Sequence, residues 1–293
     1  MKQIAAVQHL GTNLIANLLA KLFAKLSPKP GASLKPRRGI VRKPLVGAIL
    51  VAFFLCGTNA IQAADLVVMS AGAAKEAVLP LAEQFAKQSG HKVSVSYGTM
   101  GLIQEKLSKG EKADVLIVAA EVADAMQKAG TIVADSRRPL ARTGVGVAVH
   151  ESAASPDIST PEAFKALLLS AKSIVMINPA RGTSGKHLVE VYARLGVTDA
   201  IKGKMQYGEG GTIVIPVGEG KVELGLHQIS EILPVKGVKL VGPLPEALQK
   251  WTLYTAAITP GSASAAAARE LIAFLSNAAA RSVYLSKGFT AAD

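Results

Sequence analysis

Apolar positions along the chain fall into two alternating patterns. Short apolar or alternating runs at 66–69, 93–97, 115–119, 143–149, 174–177, 222–228 and 251–259 predict strands. Between them, helical spacing at 73–88, 101–109, 122–129, 184–195 and 262–278 predicts helices, with shorter ones at 213–220 and 280–287. A further helix is expected after Thr160, with Pro161 in its first turn. Strands that alternate with helices predict an α/β fold with mixed, mostly parallel sheets and helices on both faces.

The pattern begins only near residue 65. Before it, residues 45–55 form an unbroken apolar or glycine run, with Arg42 and Lys43 ahead of it and the small residues Ala60, Ala63 and Ala64 behind. That order is a secretory signal, with cleavage expected near Ala63 or Ala64 and a periplasmic destination. The run is shorter than the roughly 20 apolar residues a membrane span needs, so contact with the membrane is expected only through the signal peptide. An uncleaved anchor is the alternative. Cys56, the only cysteine, follows Leu55 and would leave with the leader, so neither a disulfide nor lipidation is expected. Residues 10–26 could form an amphipathic helix, or the true start could lie further in.

Charge sharpens this division. The chain has 293 residues and a formal net charge of +12. Residues 1–64 hold 9 of the 33 Lys and Arg and no acid, which leaves 24 basic against 21 acidic residues from Asp65 onward. A body at +3 with one Trp has no nucleic-acid footprint. Apolar residues at 49% and charged residues at 18% exclude a mainly disordered chain.

Two shifts divide the body. The segment 141–146 leaves the first α/β unit, and Pro234, Gly237, Gly242, Pro243 and Pro245 cluster in the second shift. Two crossings between two lobes account for both. The expected division is a leader at 1–64, a discontinuous first lobe at 65–142 plus 245–293, and a second lobe at 143–244. A ligand then sits between the lobes, at loops that follow strand C-terminal ends.

Four strand-to-helix turns carry small or hydroxyl residues. These are Ser70-Ala71-Gly72-Ala73, Tyr97-Gly98-Thr99-Met100-Gly101, the loop 178–187 with Arg181, Thr183, Ser184, Gly185, Lys186 and His187, and the turn 226–231 with His227, Gln228, Ser230 and Glu231. Helix N-termini present free N–H groups that suit an anion. Each turn alone reads as an ordinary cap; together they predict an anion site. Thr183-Ser184-Gly185-Lys186 lacks the P-loop order, and residues 208–211 lack a dinucleotide fingerprint. No metal or cofactor site is expected.

The stretches 66–101, 113–120, 136–142, the Asn178-Pro179 loop and 218–231 resemble type II periplasmic solute-binding proteins, most closely the molybdate-binding branch. The resemblance covers nearly all of the chain after the leader. It implies a two-lobed fold, a small anionic ligand held by Ser70, Ala71, Gly72, Thr99, Met100, Thr183, Ser184, Gly185, Gln228 and Ser230, and delivery by a monomer to an ABC transporter permease. It departs from that branch where Thr99 and Met100 replace paired serines and Gln228 stands for a tyrosine. Arg181, Lys186, His187 and His227 add cations near the expected cleft, and an Arg fork matches a carboxylate. An organic polycarboxylate fits them better than molybdate. A relative on the same scaffold, aconitate isomerase, implies the alternative of an exported enzyme that interconverts cis- and trans-aconitate by proton transfer. Its proton carrier would be His187, His227, Lys75 or Glu231, with Arg181 as carboxylate clamp. A vestigial cleft on a partner-binding protein is the third reading.

Overall fold

The structure, a computed structural model, describes residues 63–292 except Thr212; the signal region and Cys56 lie outside the described residues. The elements alternate as the pattern requires. Asp65–Ala71 (β1) leads through a 3-10 turn at Gly72–Ala74 into Lys75–Ser89 (α1), then Lys92–Gly98 (β2), Met100–Ser108 (α2), Val115–Ala119 (β3) and Ala120–Lys128 (α3). Arg138–Thr143 (β4) and Val145–His150 (β5) follow, then Pro161–Ser170 (α4), Ile174–Ile177 (β6), Thr183–Leu195 (α5) and Thr198–Lys202 (α6). Met205–Gly208 (β7), Ile215–Gly218 (α7), Leu224–Gln228 (β8), Ile229–Ile232 (α8) and Val238–Pro243 (β9) come next. Thr252–Ile258 (β10), Ala265–Leu275 (α9) and Ala278–Ser286 (α10) close the chain.

The strands form two five-stranded mixed sheets, β2-β1-β3-β10-β4 and β7-β6-β8-β5-β9. In the first, β1 pairs in parallel with β2 and β3, while β10 runs antiparallel to β3 and β4. The second repeats the plan: β6 is parallel to β7 and β8, and β5 is antiparallel to β8 and β9. Each sheet has its own apolar core. Helix α1 buries Ala77, Val78, Leu81, Ala82 and Phe85 on one stripe, the spacing of an amphipathic helix. Its end is capped by Gly90 at φ 77°, a left-handed position glycine reaches without strain. Leu244 and Leu248 pack with the core of the second sheet, although residue 248 falls in the segment that leads back to the first.

The strand read at 143–149 is β5, Val145–His150; its expected first residue, Thr143, instead ends β4 in the other sheet, with Gly144 between them. One residue separates the two strands, so periodicity alone could not reveal where the change of sheet falls. A Cβ at Gly144 would lie 2.9 Å from the Gln249 amide, so glycine lets the two crossings approach each other. The shift read at 230–245 also holds β9, whose Pro243 is tolerated because β9 is an edge strand. The short β7 and α6 give too brief a pattern to be read from sequence.

Gln249 joins the two crossings. Its Oε1 accepts from Val145 N at 2.9 Å and its Nε2 donates to Val145 O at 2.8 Å, as a neighbouring strand would. The same carbonyl accepts from Leu244 N at 3.0 Å. Gln249→Ala leaves the Val145 N–H without its partner, and a loss of about 1–3 kcal/mol in urea unfolding is expected. An unchanged midpoint would show that backbone bonds alone hold the crossing.

Candidate functional site

A cavity of about 760 Å³ is lined by loops from both sheets. The turn after β1 contributes Ala71, Gly72, Ala73, Lys75 and Glu76, and the turn after β2 contributes Tyr97 to Met100 and Leu102. Tyr254 reaches it from β10. From the second sheet come Gly182, Thr183 and Ser184 at the start of α5, Glu209 to Gly211 after β7, and His227, Gln228 and Glu231 at the β8–α8 turn. The cavity therefore lies at strand C-terminal ends, where open α/β sheets place ligands.

Helix starts supply its donors. The 3-10 turn at Gly72 and helix α5 have Ala71 and Gly182 as N-caps, neither with a side-chain cap. Their first N–H groups and the positive end of the helix dipole remain available to an anion. Helix α2 differs, because Thr99 Oγ1 accepts from Leu102 N at 3.2 Å.

The β8–α8 turn supplies a buried polar group. His227 and Gln228 are 3% and 2% exposed. His227 Nε2 lies 3.1 Å from Glu231 Oε2, an ion-pair distance without hydrogen-bond alignment, so both ring nitrogens stay buried with no hydrogen-bond partner. Gln228 Nε2 donates to Thr252 Oγ1 at 3.3 Å and Thr183 Oγ1 at 3.5 Å, while its Oε1 is buried without a partner. Buried polar atoms left unpaired are costly, and here they mark a place for a ligand or water. Burial pushes the Tyr254 hydroxyl up from its ordinary value; the Glu231 charge adds to this and a Thr183 hydrogen bond opposes it. Tyr97 is pushed up to about 12, by burial first and then by Glu76 and Glu83.

Of the residues expected at the site, Ala71, Gly72, Lys75, Thr99, Met100, Thr183, Ser184, His227, Gln228 and Glu231 line the cavity. Ser70, Arg181, Gly185, His187 and Ser230 are not among its lining residues. Ser70 is fully buried, and its Oγ donates to Ala71 O at 3.2 Å. Ser230 is also fully buried. Gly185 packs on β6, where a Cβ would collide with Ile177 O. Lys186, expected near the cleft, is likewise not a lining residue.

Arg181, expected as a carboxylate clamp, lies at the rim. Arg181 pairs with Glu209 at 3.2 Å and with Glu105 of α2 at 3.4 Å, and its carbonyl accepts from Gly101 N at 3.2 Å. Its charge is spent on protein carboxylates across the rim. The neighbouring Lys109 and then Arg181 hold the exposed Glu105 carboxyl below its ordinary range. His187 is 8% exposed, and its Nε2 donates to Leu248 O at 2.7 Å, tying α5 to the segment between β9 and β10.

Sequence reasoning missed Glu76, the Glu209–Gly211 loop, Glu219, Lys236 and Tyr254 as lining residues. The glycines at 210 and 211 were a visible turn signal, tested only against dinucleotide motifs. Tyr254 sits inside an apolar strand and gave none. Among the described residues no His, Cys, Asp and Glu group could hold a metal ion, and no helix is long and apolar enough to cross a membrane.

The model of a family described as bacterial extracellular solute-binding protein matches residues 66–290. An aconitate isomerase of Pseudomonas sp is 30% identical over 217 residues, covering 72% of this chain and 82% of that protein. The molybdate-binding protein ModA of Azotobacter vinelandii is 32% identical over 187 residues, covering 62% of this chain and 71% of its own length. A solved structure of the Azotobacter vinelandii periplasmic molybdate-binding protein shares the fold with TM-score 0.65 at 21% identity, covering 77% of this chain and 98% of that one.

His187→Ala should destabilise the protein by about 2–4 kcal/mol, from a lost buried hydrogen bond plus the cavity left behind. Anion affinity measured by calorimetry should change little. A large loss of affinity at unchanged stability would move His187 into the binding chemistry.

Proposed function

This chain belongs to the family of bacterial extracellular solute-binding proteins, and from that premise we propose that its cavity holds a small organic anion, in keeping with a polycarboxylate. The observation that carries the reading is the cavity itself. Its volume of about 760 Å³ falls within the ~300–1,000 Å³ of small-molecule sites, far more room than a tetrahedral oxyanion fills. Charged side chains line it from both sheets, with Lys75 and Glu76 on one side and Lys236, Glu219 and Glu231 on the other. A site for molybdate alone needs no such set.

In this reading the lobes 65–142 plus 245–293 and 143–244 close on the ligand by bending at the two crossings beside Gly144 and Gln249. The anionic end takes the N–H groups at Gly72, Thr183 and Ser184, and Lys75 adds a cation. Arg181 acts between the lobes at the rim. The leader directs the chain to the periplasm and is removed near Ala63 or Ala64, and the loaded monomer delivers its ligand to an ABC transporter permease. Binding and release need no covalent step.

A second reading is favoured by one observation: an imidazole and a carboxylate 3.1 Å apart and largely buried, His227 with Glu231, line the cavity. In an isomerase of aconitate type this pair would take a proton from the methylene carbon and return it at the far end of the allylic system. The helix N-termini would stabilise the delocalised carbanion formed between those steps. Of the four expected proton carriers, His227, Glu231 and Lys75 line the cavity, which supports this reading, and His187 does not.

Thermal unfolding with molybdate, tungstate, sulfate, citrate, cis-aconitate and trans-aconitate tests both readings. A ligand at 100 times its dissociation constant adds about 2.7 kcal/mol to stability. A raised midpoint with the polycarboxylates is expected. A rise with molybdate or tungstate alone would overturn the organic-anion reading. Conversion of one aconitate isomer into the other by NMR, lost in His227→Ala, would establish the second.

A further inference from the structure

The cavity is polarised in its hydrogen bonding, and this bears on which organic anions it takes. One part offers donors: the uncapped start of α5, and Lys75. The part formed by the β8–α8 turn offers acceptors. Gln228 spends its Nε2 on two threonine hydroxyls, which leaves Oε1 buried and unpaired. The Glu231 carboxylate lines the cavity from the same turn, with its side chain 13% exposed. Glu231 also reaches across the cavity. A Cβ built on Gly72 would lie 3.1 Å from Glu231 Oε1, so this oxygen rests against the turn that opens α1. Among the described residues its one ion-pair partner is His227, and neither lysine lining the cavity pairs with it. The carboxylate charge is therefore not cancelled by Lys or Arg. Its effect reaches Tyr254, whose hydroxyl it helps to keep protonated.

We propose that Glu231, backed by the Gln228 carbonyl, selects anions that carry a hydrogen beside their anionic group, as a hydroxyl or an acidic C–H, and excludes oxyanions that carry none. The inference rests on the organic-anion reading above and names the residue that enforces it. A hydrogen-free dianion seated at the Gly72 turn sets oxygen against the Glu231 carboxylate and gives Gln228 Oε1 nothing to accept. Like charges juxtaposed in a binding site discriminate strongly against the wrong ligand. An organic acid can place its carboxylates toward the donors and its hydrogen-bearing carbon or hydroxyl toward Glu231.

Calorimetry on the full-length protein, with citrate, cis-aconitate, trans-aconitate, molybdate and sulfate, tests this in the wild type, Glu231→Gln and Glu231→Asp. In the wild type, at least one organic acid should bind and the two oxyanions should bind about 10²-fold more weakly or not at all, the factor expected from several kcal/mol of repulsion. Glu231→Gln should bring the oxyanions to within about tenfold of the best organic acid, while Glu231→Asp, which keeps the charge, should retain the exclusion. A carboxylate with a purely structural role would not separate Gln from Asp in this way. Organic-acid binding with the same ratio in Glu231→Gln overturns the inference and leaves the organic-anion reading standing. Tight molybdate binding by the wild type, with no organic acid bound, overturns that reading and the inference with it. If Glu231→Gln does not fold, the wild-type ranking decides: molybdate binding equal to that of the best organic acid overturns the inference.

Discussion

The pairing of Gln249 with the Val145 peptide is the constraint on which the rest depends. The chain passes between the sheets at Gly144 and returns through residues 244–251, and one side-chain amide satisfies both backbone groups of Val145 where these paths meet. Val145 also stands opposite Gln228 of β8, and its carbonyl accepts from Leu244 N as well, so the amide adds to strand pairing where the two paths meet. The amide lets the two passages lie side by side. That contact holds the C-terminal ends of β1 and β2 opposite those of β6, β7 and β8, and the cavity is the space between them.

Polarity follows from the same plan. Each strand that ends at the cavity is followed by a helix or a tight turn, so N–H groups collect there without any arginine. Two of the cations expected in the site pair with protein groups, Arg181 with Glu105 and Glu209, and His187 with Leu248, while His227 lines the cavity. The charge inside the cavity is instead mixed, with Lys75 and Lys236 set among Glu76, Glu219 and Glu231. A mixed site suits a ligand with chemically distinct ends, whereas a uniform ring of neutral donors suits a symmetric oxyanion. The relatives span both an aconitate isomerase and molybdate-binding proteins, and shared fold does not choose between such functions.

Much of this protein was legible in its sequence. The runs at 66–69, 115–119 and 174–177 became strands because continuous apolar segments of that length bury both faces in a sheet. The turns at Gly72, Thr99, Thr183 and Gln228 were visible as small or hydroxyl residues at strand ends, and all four line the cavity. These features are local: periodicity, caps and turn residues act over a few positions. Only the tertiary structure decided what depends on distant partners. It put Thr143 and Val145 in different sheets, because strand pairing and not composition assigns a strand to its sheet. It brought Tyr254 and Lys236 to the cavity from segments with no functional signal. It buried Ser70, and it matched Arg181 to carboxylates 76 and 28 positions away in the chain. Charge and hydrogen bonding are settled by which groups meet in space, and that meeting is the outcome of packing two sheets against each other through two short crossings.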